Sequence, residues 1–154
     1  MLVIKIIIIS VFFFFTYSKN FYTSELKVID GDTIIIGDEK IRFSGIDAPE
    51  LDQICIFKEI EVSCGNISKK LIVEKVANQK ISCIYEGKDR YQRTLGECFV
   101  EGESLSSYLV RQGYAFAYRR YSQKFIEDEE YAKEKKNGMW GMKFIFPWDY
   151  RKQK

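Results

Sequence analysis

The stretch Ile29-Asp30-Gly31-Asp32-Thr33-Ile34-Ile35-Ile36-Gly37-Asp38-Glu39-Lys40-Ile41-Arg42-Phe43-Ser44-Gly45-Ile46-Asp47-Ala48-Pro49-Glu50 reads as a β-hairpin that carries its own chemistry. Asp30-Gly31 is a turn signal, and Ile34, Ile35 and Ile36 form a short β-branched strand. Gly37-Asp38 turns the chain again. From Lys40 to Ile46, charged or small residues alternate with Ile41, Phe43 and Ile46. Strands joined this tightly bring residues before the first turn close to residues after the second strand. Asp32 and Asp47 can then share a hard, oxygen-seeking cation. Arg42, a planar fork of donors, suits a phosphate better than a core. Against this stands the plain reading of Asp30, Asp38 and Asp47 as turn residues, which is the default for any one of them alone.

The rest of the composition narrows the chemistry. A chain of 154 residues, 46% hydrophobic and 16% aromatic, fits one domain with a core of its own and argues against disorder. Net charge is only +2, so any grip on nucleic acid must come from a local patch. The absence of histidine removes Ser-His and Cys-His nucleophiles and histidine-ligated zinc hydrolases. What remains for catalysis is carboxylates, arginines and an oxygen-ligated metal.

At the N-terminus Lys5 precedes the apolar run Ile6 to Phe15, and Thr16-Tyr17-Ser18 follows as a small-x-small site. This reads as a secretory signal over residues 1–18, with an uncleaved anchor as the alternative; the run is shorter than the roughly 20 residues of a comfortable membrane span. The domain is then 19–154. Cys55, Cys64, Cys83 and Cys98 behind such a leader point to an oxidising compartment and two disulfides. Of three connectivities the local one, Cys55–Cys64 and Cys83–Cys98, is favoured. A four-cysteine zinc site is the alternative, disfavoured because no C-x2-C pair is present.

Downstream, a first strand is expected over Glu25 to Ile29 and an irregular loop from Leu51 to Ser63. A helix capped by Asn66 should run to about Ala77, with strands over Ile81 to Tyr85 and Thr94 to Val100. Ser104 should cap a short helix ending near Gly113, and Ser122 a third helix to about Lys136 with a solvated, charge-laced face. Five short strands with a helix after the third suit a small closed barrel with helices packed on it. Trp140, Phe144, Phe146 and Trp148 should pack back onto the domain, and Tyr114 and Phe116 should be core. Arg151, Lys152 and Lys154 are expected to fray.

Three blocks in order now carry a resemblance: Asp30-Gly31-Asp32-Thr33, then Ile41-Arg42-Phe43-Ser44-Gly45-Ile46-Asp47-Ala48-Pro49-Glu50, then Asp89-Arg90-Tyr91-Gln92-Arg93. Together they resemble the staphylococcal-nuclease (thermonuclease) family, from about Leu26 to Trp148. The resemblance implies an α+β fold, a five-stranded OB-fold β-barrel with about three α-helices packed on it. It implies an exported, calcium-dependent nuclease that hydrolyses DNA and RNA with little sequence preference and leaves 3′-phosphate ends. Arg42, Glu50 and Arg93 take the catalytic roles by this resemblance, with Glu50 as general base and the arginines on the phosphate. Asp32 and Asp47 become Ca2+ ligands, joined by the backbone carbonyl of Ala48, where the staphylococcal enzyme has threonine. Resemblance also puts Tyr91 and Tyr118 near the nucleotide pocket. Arg90 and Arg120 join them on residue pattern, since aromatics interleaved with arginines hold a single strand by stacking and charge. A monomer is expected, with nucleic acid as its partner and contact with a membrane only through an uncleaved leader. The competing readings are an OB-fold module that binds nucleic acid without cutting it and a surface-anchored structural protein.

Overall fold

The computed structural model describes residues 18–21 and 26–154, with side chains described from residue 26 onward. The expected leader lies outside the described residues except for Ser18. In chain order the elements are β1 Ser18–Phe21, β2 Leu26–Asp30, β3 Thr33–Ile36, β4 Glu39–Phe43, β5 Ile46–Asp47, β6 Ile54–Phe57, β7 Ile60–Ser63 and α1 Cys64–Val76. They continue with β8 Ile81–Lys88, β9 Thr94–Val100, β10 Glu103–Ser104, α2 Leu105–Arg111, β11 Phe116–Ala117, α3 Ile126–Lys135 and the one-turn α4 Pro147–Tyr150. Among the described residues no helix is long and apolar enough to cross a membrane.

The quoted stretch forms the antiparallel meander β2-β3-β4, with Asp30 opposite Thr33 at one turn and Ile36 opposite Glu39 at the other. β9 joins β4 in parallel, setting Arg42 opposite Leu95, and β8 pairs antiparallel with β9. The order β2-β3-β4-β9-β8, with α1 between the third and fourth of these strands, is that of the five-stranded OB-fold. The path ends at β2 on one side and at β1, added outside β8, on the other. Ile34, Ile36, Ile41 and Phe43 point into one core, against Ile72 and Val76 of α1 and Leu105 and Leu109 of α2. Period-2 strand burial thus meets two amphipathic helices over the mouth of the sheet.

A second cluster centres on Phe116, which is fully buried and has the rings of Trp140, Phe144 and Phe146 within 5.2 Å. It packs the C-terminal aromatic run onto β11, as its composition suggested. Both favoured disulfides are present. Cys83 and Cys98 face each other directly across β8 and β9, and Cys55 of β6 joins Cys64 at the start of α1. Closing loops of this size stabilises by about 2–3 kcal/mol each.

Three of the expected elements differ in the structure. Leu51 to Ser63 is not irregular, because β6 and β7 form a hairpin turned by Lys58 and Glu59, both in left-handed conformation at φ 49° and 65°. That turn lacks the Gly or Asn which announces such a conformation in sequence. α1 starts at Cys64 rather than after Asn66, whose amide instead donates to Ser63 Oγ at 2.8 Å. α3 starts at Ile126, and its face is not wholly solvated: Glu129 is 1% exposed, accepting from the Ala117 N–H at 3.1 Å and pairing with Arg119 and Lys133. Ser104 does cap α2, accepting from Ser107 N at 3.3 Å.

Candidate active site

Asp32 sits in the β2–β3 turn, its N–H bound to Asp30 Oδ1 at 3.1 Å and its carbonyl accepting from Phe43 N at 2.7 Å. Gly31 beside it is required by proximity: a Cβ there would lie 2.0 Å from Ser68 Oγ of α1 and 2.9 Å from the Ala48 Cβ. The turn can therefore press α1 and the strand after β4 together, which brings Asp32 beside Asp47. Both carboxylates are buried, at 2% and 0% exposure. Arg42 spans them, donating to Asp32 Oδ1 at 2.5 Å and to Asp47 Oδ1 at 2.9 Å. Thr33 Oγ1 donates to Asp32 Oδ1 at 3.0 Å and Ala48 N to Asp32 Oδ2 at 2.9 Å.

Glu50 is placed by a small buried framework that sequence reading missed. Gln53, fully buried, accepts the Glu50 N–H at 3.3 Å on its side chain and donates its N–H to the Glu50 carbonyl at 2.8 Å. Its side-chain amide also donates to the carbonyl of Ile145 at 2.7 Å, tying the loop to the C-terminal segment. Gly65, in the first turn of α1, has no room for a side chain: a Cβ would lie 1.8 Å from the Glu50 carbonyl oxygen. Cys64, next to it, is held to Cys55. The Glu50 carboxylate is left 38% exposed, facing the cleft described below.

The residues expected to fray do the opposite. Arg151 folds back to donate to Asp47 Oδ2 at 2.6 Å and to Glu50 Oε1 at 2.8 Å. Lys152 pairs with Asp149 at 2.8 Å and Lys154 with Asp52 at 2.6 Å. The result is an alternating ion chain: Asp32, Arg42, Asp47, Arg151, Glu50. No local sequence signal could have found Arg151, because its partners lie 104 and 101 residues away. Only the aromatic run before it indicated that this segment docks.

A cleft of about 640 Å³ opens over this chain, lined among others by Arg42, Glu50, Lys88, Arg90, Tyr91, Arg93, Tyr118 and Arg151. Arg93 reaches it from the β8–β9 loop, which Asp89 shapes by accepting the N–H groups of Tyr91 at 2.8 Å and Arg93 at 3.0 Å. The same carboxylate takes Arg93 Nε at 2.6 Å. Tyr91 is 64% exposed, with the Arg90 and Arg93 guanidiniums 4.7 and 5.5 Å from its ring centre. The expected catalytic trio, with Arg90, Tyr91 and Tyr118, thus lines one concavity; Asp32 and Asp47 pair with Arg42 but are not part of its lining. Arg120 does not; it lines a neighbouring cleft.

Electrostatics follow from this packing. Burial would lower the pKa of Arg42, but the charges of Asp32 and Asp47 outweigh it and raise it. Burial likewise opposes Arg151, whose contacts with Asp47 and Glu50 hold it well above the usual arginine value. Burial pushes Asp47 up despite the opposing pull of Arg151 and Arg42. Asp30 is pushed up to about 6, by burial first and then by the Asp32 charge. Burial also acts upward on Asp89, but the Arg93 contacts win and hold it low. The ion chain contains one more carboxylate than guanidinium, with Arg42 and Arg151 both on Asp47. Asp32 and Asp47 are oxygen donors of the type a hard divalent cation takes, and their oxygens here accept from Arg42, Thr33, Ala48 N and Arg151.

Residues 40–142 match the family described as staphylococcal nuclease homologue. The chain is 34% identical over 122 residues to an uncharacterised endonuclease of Haemophilus influenzae, covering 75% of this chain and 64% of that protein. It is 30% identical over 139 residues to an uncharacterised endonuclease of Escherichia coli, covering 84% of each. To the thermonuclease of Staphylococcus intermedius it is 35% identical over 98 residues, 59% of this chain and 56% of that one. The OB-type sheet with a carboxylate–arginine cleft defines a nuclease-type domain, and the chain belongs to the staphylococcal nuclease homologue family. The match ends before Arg151.

Proposed function

We propose that the chain is an exported, calcium-assisted nuclease that hydrolyses phosphodiester bonds in DNA and RNA with little sequence preference. The observation that carries this is the convergence of Arg42, Glu50 and Arg93, from three separate elements, on one cleft. Glu50 takes a proton from a water as that oxygen bonds to phosphorus. The bond from phosphorus to the 5′ oxygen breaks, leaving a 3′-phosphate, and the departing oxygen takes its proton from solvent. Arg42 and Arg93 offer forked donors to the phosphoryl oxygens, where charge rises in the transition state. Tyr91 and Tyr118 present rings for bases, and Arg90 presents charge for a neighbouring phosphate, a grip that does not depend on sequence.

Asp32 and Asp47, with a main-chain oxygen of Ala48, are the groups that would hold Ca2+; the ion supplies Lewis-acid neutralisation of the phosphate. Arg151 acts as a positioning residue. It holds Glu50 at the cleft edge until substrate competes for its guanidinium. Export is supported by the leader pattern and by the pairing of all four cysteines. A monomer suffices, because every group of the site comes from one chain.

Glu50→Gln tests the assignment. Single-stranded DNA should bind with affinity changed less than about threefold while turnover falls at least 10²-fold, the usual size of a lost general base. Full turnover in that variant removes Glu50 from the chemistry. A wild-type chain that binds but never cuts would instead be an OB-fold binding module.

A further inference from the structure

Tyr118 lines the catalytic cleft and also a second one of about 350 Å³, formed between residues 117–120 and the segment after residue 142. The row of rings continues across it. Trp148 lies parallel to Tyr118 within 4°, centres 5.9 Å apart, and Phe146 parallel to Trp148 within 9° at 4.6 Å. Four cations line this second cleft against a single carboxylate, Glu129. Two of them have a structural reason: Arg119 and Lys133 compensate the buried Glu129, which would otherwise be costly. Arg120 and Lys152 have none. Both are exposed; among the described residues Arg120 rests near the Tyr121 ring at 5.8 Å, and Lys152 makes only a surface pair with Asp149, worth little.

We propose that this cleft is a second subsite for single-stranded nucleic acid, taking the strand after it passes Tyr118. Trp148 offers an aromatic edge to a base, and Arg120 and Lys152 take the phosphate beyond the scissile one. The proposal rests on the nuclease reading. Trp148 and Lys152 lie past the stretch that matches the family, whereas Arg119, Arg120, Glu129 and Lys133 lie within it. The subsite also gives Arg120 the substrate contact that the catalytic cleft does not.

The test uses the full chain with Glu50→Gln, which prevents cutting, and measures binding of a DNA dinucleotide and a single-stranded 12-mer. Trp148 helps pack the Phe116 cluster, so the variant is Arg120→Ala with Lys152→Ala, both at the surface. The 12-mer should lose about 10-fold in affinity, and its log–log salt slope should shrink by about 0.7, the value for one phosphate contact on a single strand. The dinucleotide, which offers no phosphate beyond the catalytic cleft, should change less than twofold. Equal losses at both lengths, or an unchanged 12-mer, would overturn the subsite. A Glu50→Gln chain that binds neither length would overturn the nuclease reading, and the subsite with it.

Discussion

Arg151 Nη1 donates to Glu50 Oε1 at 2.8 Å, joining two residues 101 positions apart in sequence. The same guanidinium reaches the buried Asp47 through its other nitrogen at 2.6 Å. One cation from beyond the family match therefore fixes both a proposed base and a proposed metal ligand. Arg151→Ala should lower kcat/KM about 10- to 100-fold, with the loss in kcat rather than KM, because Glu50 loses the partner that fixes its position. Arg151→Lys should restore part of the rate, since it keeps the charge but not the two-pronged grip. An unchanged kcat in folded Arg151→Ala would reduce the contact to packing.

Gly65→Ala tests how Glu50 is set. The added methyl would meet the Glu50 carbonyl oxygen at 1.8 Å, so the loop or the helix start must move. A loss of about 1–3 kcal/mol in stability is expected from such overpacking. Turnover measured well below the melting temperature should fall at least tenfold. Lower stability with normal turnover would show that the loop yields without moving the carboxylate.

The two disulfides should separate stability from activity. Cys83–Cys98 staples two neighbouring strands of the sheet, whereas Cys55–Cys64 borders Gly65 and the Glu50 framework. Cys83→Ser with Cys98→Ser should lower Tm and leave the kcat of the remaining folded protein within twofold. Cys55→Ser with Cys64→Ser should lower both. Equal effects on kcat from the two pairs would contradict the placement of Glu50 by the β6–α1 junction.

Asp30 carries a pH signature. Its pKa is raised from 3.8 to about 6 in the folded chain, by burial and then by Asp32. The native state thus binds its proton more tightly than the unfolded state, and stability falls as pH rises from about 4 to about 6. Asp30→Asn can still accept the Asp32 N–H and should flatten that fall. Its gain at pH 7 should be about 1 kcal/mol once solvent screening is allowed for. Denaturant melts at pH 4 and 7 check this; a variant less stable than the parent at both would refute it.

The hairpin from Ile29 to Glu50 was legible because turn pairs and alternation are local signals, and it brought Asp32, Arg42 and Asp47 together as its strand lengths imply. Cys83 and Cys98 were legible for the same reason, since two strands around the Asp89 turn place them opposite each other. The Lys58-Glu59 turn was not, because two non-glycine residues adopt left-handed backbone there under tertiary constraint. Gln53 looks like any polar loop residue until its hydrogen bonds to Glu50 and to Ile145 are seen. Arg151 lay furthest from any sequence rule: its role comes from where the Phe116 cluster docks the last turn.

Cleavage of single-stranded DNA by the chain starting at Lys19, with calcium and then with chelator, tests the central claim most directly. The proposed chemistry requires that the chain cut with calcium and stop with chelator, and that Arg42→Ala, which separates Asp32 from Asp47 in the ion chain, cut at least about 10²-fold more slowly. Undiminished cutting by Arg42→Ala, or no cutting by the parent chain in calcium, would contradict it.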